Sequence, residues 1–210
     1  MLSRILIFFT FLSVICASSA FGQARFEIQP FVGAKFGGSV PVQVNVFQIG
    51  KIDFDSSIDY GLTAGFNATP NIGLEFMWER QPTHAVAVTN SGFDFGNKIP
   101  VNLDQYHGNV VFTFRAEKEK LRPFILFGMG ATRAAGNRSS ETKFSFGIGG
   151  GAKYNFTDHM GVRLQARYTP TFVYSSASGV WCDWYGFCFV IPNNHYLQQF
   201  DLTAGWVFRF

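Results

Sequence analysis

In the last eleven residues of the chain, Phe200 to Phe210, alternate positions differ in kind. Phe200, Leu202, Ala204, Trp206, Phe208 and Phe210 fall on one side, and Asp201, Thr203, Gly205 and Arg209 on the other, with Val207 as the exception. A period of two is that of a β-strand with one apolar and one polar face. A strand that stops on an aromatic residue leaves a sticky edge unless the edge is paired and the residue buried. The pattern therefore predicts a strand that closes a barrel and turns its apolar face to lipid.

The same alternation recurs upstream. Arg25 to Gly37 sets Phe26, Ile28, Pro30, Val32, Ala34 and Phe36 against Glu27, Gln29, Phe31, Gly33 and Lys35. Ile58 to Asn67, Ile72 to Glu79, Asp104 to Phe114, Lys143 to Tyr154 and Met160 to Tyr168 behave alike, whereas Pro123 to Thr132 blurs because Phe124 and Leu126 share a face with Gly128 and Gly130. These segments are each about ten residues, the length a tilted strand needs to cross a bilayer. Counting the terminal one, the expected fold is all-β, an eight-stranded antiparallel up-and-down barrel. Connections after the second, fourth and sixth strands are short and the others mostly long, the rhythm of periplasmic turns and outer loops. A ligand-carrying soluble barrel hides its apolar face inside. Here the richly apolar face is too continuous for a small lumen, so it is expected outside, on lipid. Phe26, Phe66, Tyr154, Phe208 and Phe210 would form one aromatic girdle, and Phe36, Tyr60, Trp78 and Tyr168 the other.

At the other end, Met1-Leu2-Ser3-Arg4 leads into the apolar run Ile5 to Ile15 and then small residues, which reads as a secretory signal over 1–22, cleaved between Ala20 and Gln23. A lipoprotein anchor at Cys16 is the rival, disfavoured by the bulky Ile15 before it. The run is too short for a spanning helix, and nothing in 23–210 approaches the length of about 20 apolar residues that one needs. The formal charge of +3 drops to +2 without Arg4, too small a balance for a nucleic-acid binder. Residues 23–210 are then one domain.

The terminal Leu202-x-Ala204-x-Trp206-x-Phe208-x-Phe210 and the segment Gly147 to Arg167, with Tyr154-Asn155-Phe156-Thr157-Asp158-His159 at its turn, resemble small outer-membrane barrels of the OmpA and OmpX type. The resemblance covers the mature chain. It implies the cell outer membrane, surrounding lipid and lipopolysaccharide, and delivery by the barrel-assembly machinery, with Trp206, Phe208 and Phe210 as the assembly signal. It does not imply one activity, because this architecture hosts adhesins, enzymes and narrow channels. The peptidoglycan-binding domain of OmpA has no counterpart here, so no tethering role is expected. Val40, Val42, Val44 and Val46, and Val86 and Val88 before the turn Thr89-Asn90-Ser91-Gly92, suggest strands continued above the membrane, like the protruding hairpins through which OmpX-like barrels recruit partners.

A weak internal repeat bears on the lumen. At an offset of 88, Asn67 to Phe76 aligns with Asn155 to Leu164, placing Glu75 against Arg163 and Glu79 against Arg167. The two strands concerned stand opposite each other in a ring of eight. An eight-stranded barrel is just wide enough for side chains to fill. Two layers of ion pairs are therefore expected, Glu75 with Arg163 and Glu79 with Arg167, and Asp201 and Asp59 accepting further hydrogen bonds from Arg167. Such an interior is a plug; the alternative is a narrow porin-like channel for small solutes or ions in which the pairs open.

Cys182 and Cys188, left once Cys16 departs, are expected to form a disulfide in an oxidising compartment, with free thiols or a metal site as alternatives. The loop between them displays Trp181, Trp184, Tyr185 and Phe187, read either as a partner- or glycan-binding tip or as aromatics packed on the strand extensions. A lipid-modifying enzyme is the third class. The His-x-Ser pair of barrel deacylases is absent, since none of His84, His107, His159 and His195 is followed by serine two positions on. No enzyme activity, cofactor or metal is expected. The function expected is structural and surface-interacting through the outer loops, as a monomer with an unknown surface ligand.

Overall fold

The computed structural model describes residues 25–45, 48–89, 94–114, 119–136, 140–173, 180–182, 188–190 and 195–210. The expected signal segment 1–22, the turn at 90–93, and Trp184, Tyr185 and Phe187 lie outside the described residues. Among the described residues twelve strands run in chain order: β1 (Arg25–Phe36), β2 (Ser39–Asn45), β3 (Gln48–Phe54), β4 (Ser57–Asn67), β5 (Ile72–Thr89), β6 (Asp94–Thr113), β7 (Leu121–Ala135), β8 (Ser140–Asn155), β9 (Met160–Val173), β10 (Val180–Cys182), β11 (Cys188–Val190) and β12 (His195–Arg209).

Eight of them, β1, β4, β5, β6, β7, β8, β9 and β12, form a closed antiparallel ring. The seam is β1 on β12, in register from Glu27 opposite Arg209 to Phe36 opposite Phe200. All eight expected strands are present. Several run further than their alternation suggested: β5 has 18 residues and β6 has 20. The extra length stands on the outer side. There β3 pairs with the upper part of β5, Gly50 opposite Thr89 through Phe54 opposite Ala85, β2 pairs with β3, and β11 meets β2 at Val190 and Gln43. The bend from β1 into β2 falls on Gly37 and Gly38, whose φ values of +79° and +115° favour residues without a Cβ.

Burial is inverted relative to a soluble protein. Mid-strand Leu164 is 62% exposed and Phe76 56%, while Asp59 and Asp201 are fully enclosed. Outward aromatics gather at both ends of the wall. Tyr154 packs edge-on to Phe156 and Phe156 lies against Trp206 below; Tyr60 meets Trp78, and Phe172 meets Tyr196, above. The blurred alternation of β7 is explained by its inward face, which carries Phe124 and Leu126 against Val111 of β6. An apolar patch inside the lumen removes the polar half of the alternation there.

If the wall faces lipid, Leu164→Arg should destabilise the protein by about 2–4 kcal/mol, the effect of a cation near the bilayer midplane. Urea unfolding of protein folded into vesicles reads this directly; in a water-exposed wall the change would be near neutral.

Candidate functional site

The inward side chains fill the ring in three tiers. Nearest the periplasmic mouth, Glu27 accepts from Lys153 Nζ (2.7 Å), Arg209 Nε (2.9 Å) and Asn67 Nδ2 (3.0 Å). Arg163 reaches across the ring from β9 to β5, donating Nη1 to Glu75 Oε1 (2.7 Å) and Oε2 (2.9 Å), and Lys153 bridges Glu75 to Glu27 with a 3.3 Å contact to Glu75. Arg163 also donates to Gln165 (2.6 Å) and Gln29 (3.2 Å) and lies 4.2 Å from the centre of the Phe124 ring. Two carboxylates thus share three cations over an apolar floor. Below them Arg122 Nη2 donates to the Pro70 carbonyl (2.6 Å), fastening the turn between β4 and β5 to β7.

The middle tier departs from expectation. Arg167 does not pair with Glu79, nor does Asp201 accept from it, although Asp201 is its register partner on β12. Its guanidinium leans the other way, along β8, to Met77 Sδ (2.8 Å), His107 Nδ1 (2.6 Å) and Asn109 Oδ1 (3.3 Å). The cause is space: a Cβ at Gly147 would stand 2.5 Å from Arg167 Nε and Nη2, so only glycine lets the side chain pass. Glu79 is taken instead by Lys35, which is two strands away around the ring where Arg167 is four. Asp59 and Asp201 flank Lys35, and their four carboxylate oxygens, with Glu79 Oε2, have no hydrogen-bond donor among the described residues. This tier therefore sets three carboxylates against two cations, the converse of the tier below.

Above it lies an uncharged crossbar. Gln105 Nε2 donates to Gln199 Oε1 (3.2 Å), Gln199 Nε2 to Gln81 Oε1 (2.9 Å) and Gln81 Nε2 to Ser57 Oγ (3.0 Å), joining β6, β12, β5 and β4 across the lumen. Lys143 pairs with Glu141 (3.2 Å) at the half-open outer rim. The crossbar leaves no mark in the sequence, because no single glutamine is distinctive; Lys153 as the bridge between Glu27 and Glu75 follows only from its register opposite Arg163.

One pair resembles catalytic chemistry: His107 Nε2 lies 2.7 Å from Ser145 Oγ. A general base must offer a lone pair to its nucleophile. Arg167 has only hydrogens to offer to Nδ1, so the ring proton sits on Nε2 and points at Ser145. Thr132 Oγ1 donates to the same hydroxyl at 2.9 Å, and Thr171 lies 3.1 Å from Thr132. The arrangement orients a polar chain across β6, β8, β7 and β9 and leaves the serine unactivated. Among the described residues no group of three or more His, Cys, Asp or Glu side chains is placed to hold a metal ion.

Cys182 and Cys188 are register partners in the β10–β11 pair, as are Trp181 and Phe189. Trp206, Phe208 and Phe210 all lie on the outward face of the closing strand and its end, 52%, 36% and 72% exposed.

A family model described as outer membrane protein beta-barrel domain matches residues 9–208. Among solved structures, the chain is similar to the Neisserial surface protein A (13% identity, TM-score 0.58, 90% of this chain and 100% of that one). It is also similar to OprG from Pseudomonas aeruginosa (15%, TM-score 0.59, 89% and 96%) and to AlkL in lipid bilayers (14%, TM-score 0.55, 90% and 92%). At these identities the likeness is one of fold. A comparison with curated proteins found no match.

Double-mutant cycles should separate the pairs that touch from those that do not. Coupling of about 1–3 kcal/mol is expected for Glu75 with Arg163 and for Lys35 with Glu79, and under about 0.5 kcal/mol for Glu79 with Arg167. Urea midpoints of the single and double alanine variants in vesicles give the values.

Proposed function

Because the chain belongs to the outer membrane protein beta-barrel domain family, and so resides in the outer membrane, we propose that it is a closed-lumen barrel whose working surface is the sheet held above the outer leaflet. The observation that carries this is the succession of side-chain tiers: the Glu27, Glu75, Lys153, Arg163 and Arg209 cluster, the Arg167 and Lys35 tier, and the glutamine crossbar each tie strands together across the lumen. Breaking a buried ion pair by removing one partner costs about 3–5 kcal/mol, so thermal motion does not open such a stack. What is left to meet other molecules is the outer assembly of β2, β3, β10, β11 and the upper halves of β5 and β6.

In this reading the segment 1–22 is a cleaved signal, the assembly machinery recognises Trp206, Phe208 and Phe210, and the barrel works as a monomer. A Cys182–Cys188 disulfide stiffens the aromatic tip that carries Trp181, Trp184, Tyr185 and Phe187. Support for the disulfide is the placement of the two cysteines directly opposite each other on adjacent antiparallel strands. The tip then meets a protein or glycan partner.

A second reading, a narrow cation channel, is favoured by one feature. Asp59, Asp201 and Glu79 present buried carboxylate oxygens without donors among the described residues, between the crossbar and the lower cluster. Buried charge unpaired by protein calls for water, and a hydrated acidic chamber is a resting place for cations.

Planar-bilayer recording on the folded protein decides between them. The closed reading expects no stable openings in wild type, and none after Gln199→Ala, because the lower ion-pair cluster still blocks the lumen. Cation-selective openings that Gln199→Ala makes more frequent would overturn it in favour of the channel.

A further inference from the structure

The outward wall is free of charge from the lower girdle up to a single row. Across neighbouring strands the register partners in that row are Tyr60, Arg80, Asp104, Arg133 and Thr142, on β4 to β8. The row beneath is Leu62, Trp78, Tyr106, Ala131 and Phe144, wholly apolar or aromatic, and the row above on β5 to β8 is Pro82, Asn102, Ala135 and Ser140, uncharged. The charges thus fall in one register row, which climbs the wall with the tilt of the strands, and each caps the apolar outward run of its own strand. They occupy one side as well: at the outer ends of β9, β12 and β1 the outward residues are Pro170, Phe172, Tyr196, Gln198 and Phe36.

Within the row the charges do not cancel. Asp104 is only 3% exposed and, among the described residues, is held by Arg80, through Nε to Oδ1 (2.6 Å) and Nη2 to Oδ2 (3.1 Å). The Arg80 side chain remains 41% exposed and lies 5.9 Å from the Trp78 ring, so its stem rests on the girdle with its remaining N–H groups outward. Arg133, on the far side of Asp104, is exposed, and its one hydrogen-bond contact among the described residues is a long one to Ser140 Oγ (3.5 Å). Two guanidinium groups and one carboxylate leave a net positive row, roughly 10 Å across at the spacing of adjacent strands.

A cation on the lipid-facing wall is tolerable only at the depth where anionic headgroups begin. The groups found at that depth in the outer leaflet are phosphates, and a guanidinium binds phosphate through paired N–H groups. We propose that Arg133, with the open edge of Arg80, forms a binding site for a phosphate carried by an outer-leaflet glycolipid. Asp104 positions Arg80 beside this site through its two accepted hydrogen bonds. Trp78, Tyr106 and Phe144 beneath receive the acyl chains of the same lipid. This assignment rests on the barrel's place in the outer membrane and is independent of whether the lumen conducts.

The test uses protein extracted from outer membranes into detergent, to which bisphosphorylated lipid A, its dephosphorylated form, or inorganic phosphate is added. The readout is the midpoint temperature of the heat-induced gel shift. Wild type should gain stability with the bisphosphorylated lipid and with neither of the other additions. Arg133→Gln should leave the lipid-free midpoint unchanged while raising the lipid concentration for half effect by about tenfold or more, the loss expected of one charge-assisted contact. Arg133→Lys should recover part of it. Arg80→Gln also strands Asp104 and should lower the lipid-free midpoint as well, so Arg133 is the decisive position. An equal gain in wild type and Arg133→Gln overturns the site, and an equal gain with dephosphorylated lipid assigns the effect to acyl packing. A gain with inorganic phosphate alone overturns the lipid as its source.

Discussion

Everything in this barrel follows from the pairing of β1 with β12. A sheet in hydrocarbon cannot leave N–H and C=O groups unpaired, because no water is present to satisfy them. The seam from Glu27 opposite Arg209 to Phe36 opposite Phe200 removes the last free edge and turns a sheet into a ring. Once the ring is closed, strand alternation acquires a fixed meaning: one face of each strand meets lipid and the other a lumen only a side chain wide. Phe200, Leu202 and Ala204 point out, and Asp201 and Thr203 point in, on the same few residues that make the seam.

A narrow lumen then forces the inward residues to find partners locally. Long side chains travel where small ones leave room, and the glycines of β8 provide that room. Arg167 crosses over Gly147 to His107 and Asn109 and so turns away from Asp201, its own register neighbour. Lys35 reaches across β4 to Glu79 on β5, and Asp59 and Asp201 are left on the strands to either side of it. The result is a polarised column: carboxylates are in excess around Lys35, and cations in excess around Glu27 and Glu75.

How much of this can be read from the sequence depends on whether one strand or two must be known. The eight strands are legible because period-two alternation is a property of each strand alone; β7 is the faintest because Phe124 and Leu126 place apolar residues on its inner face, which blurs the contrast. The approach of Arg163 to Glu75 is legible because the offset of 88 and two turns of equal length set both residues at one height. The partner of Glu79 is not, since the long β2–β3 excursion separates Lys35 on β1 from β4 and β5 in the chain, and no short turn fixes its height against Glu79. The course of Arg167 depends on what Gly147 lacks. The glutamine crossbar joins residues up to 118 apart that carry no charge to mark them. β3 is not legible because the stretch Gln48 to Phe54 mixes polar and apolar residues too evenly for a lipid face, which is consistent with its place above the membrane.

The outward wall obeys a different rule from the lumen, and this shapes where specificity can arise. Over most of its height the wall need only be apolar, so Leu, Phe, Val and Ala replace one another from strand to strand with no fixed partner. At the row of Arg80, Asp104 and Arg133 that freedom ends, because a charge there must be matched by a protein group or by the leaflet itself. Asp104 matches Arg80 but not Arg133, and both arginines lie on the half of the ring that carries the tall β5–β6 hairpin. The same half therefore bears the upright outer sheet and the unbalanced charge at its foot. A lipid phosphate bound there would brace the base of the hairpin where it leaves the membrane, tying the orientation of the outer surface to the chemistry of the leaflet around it.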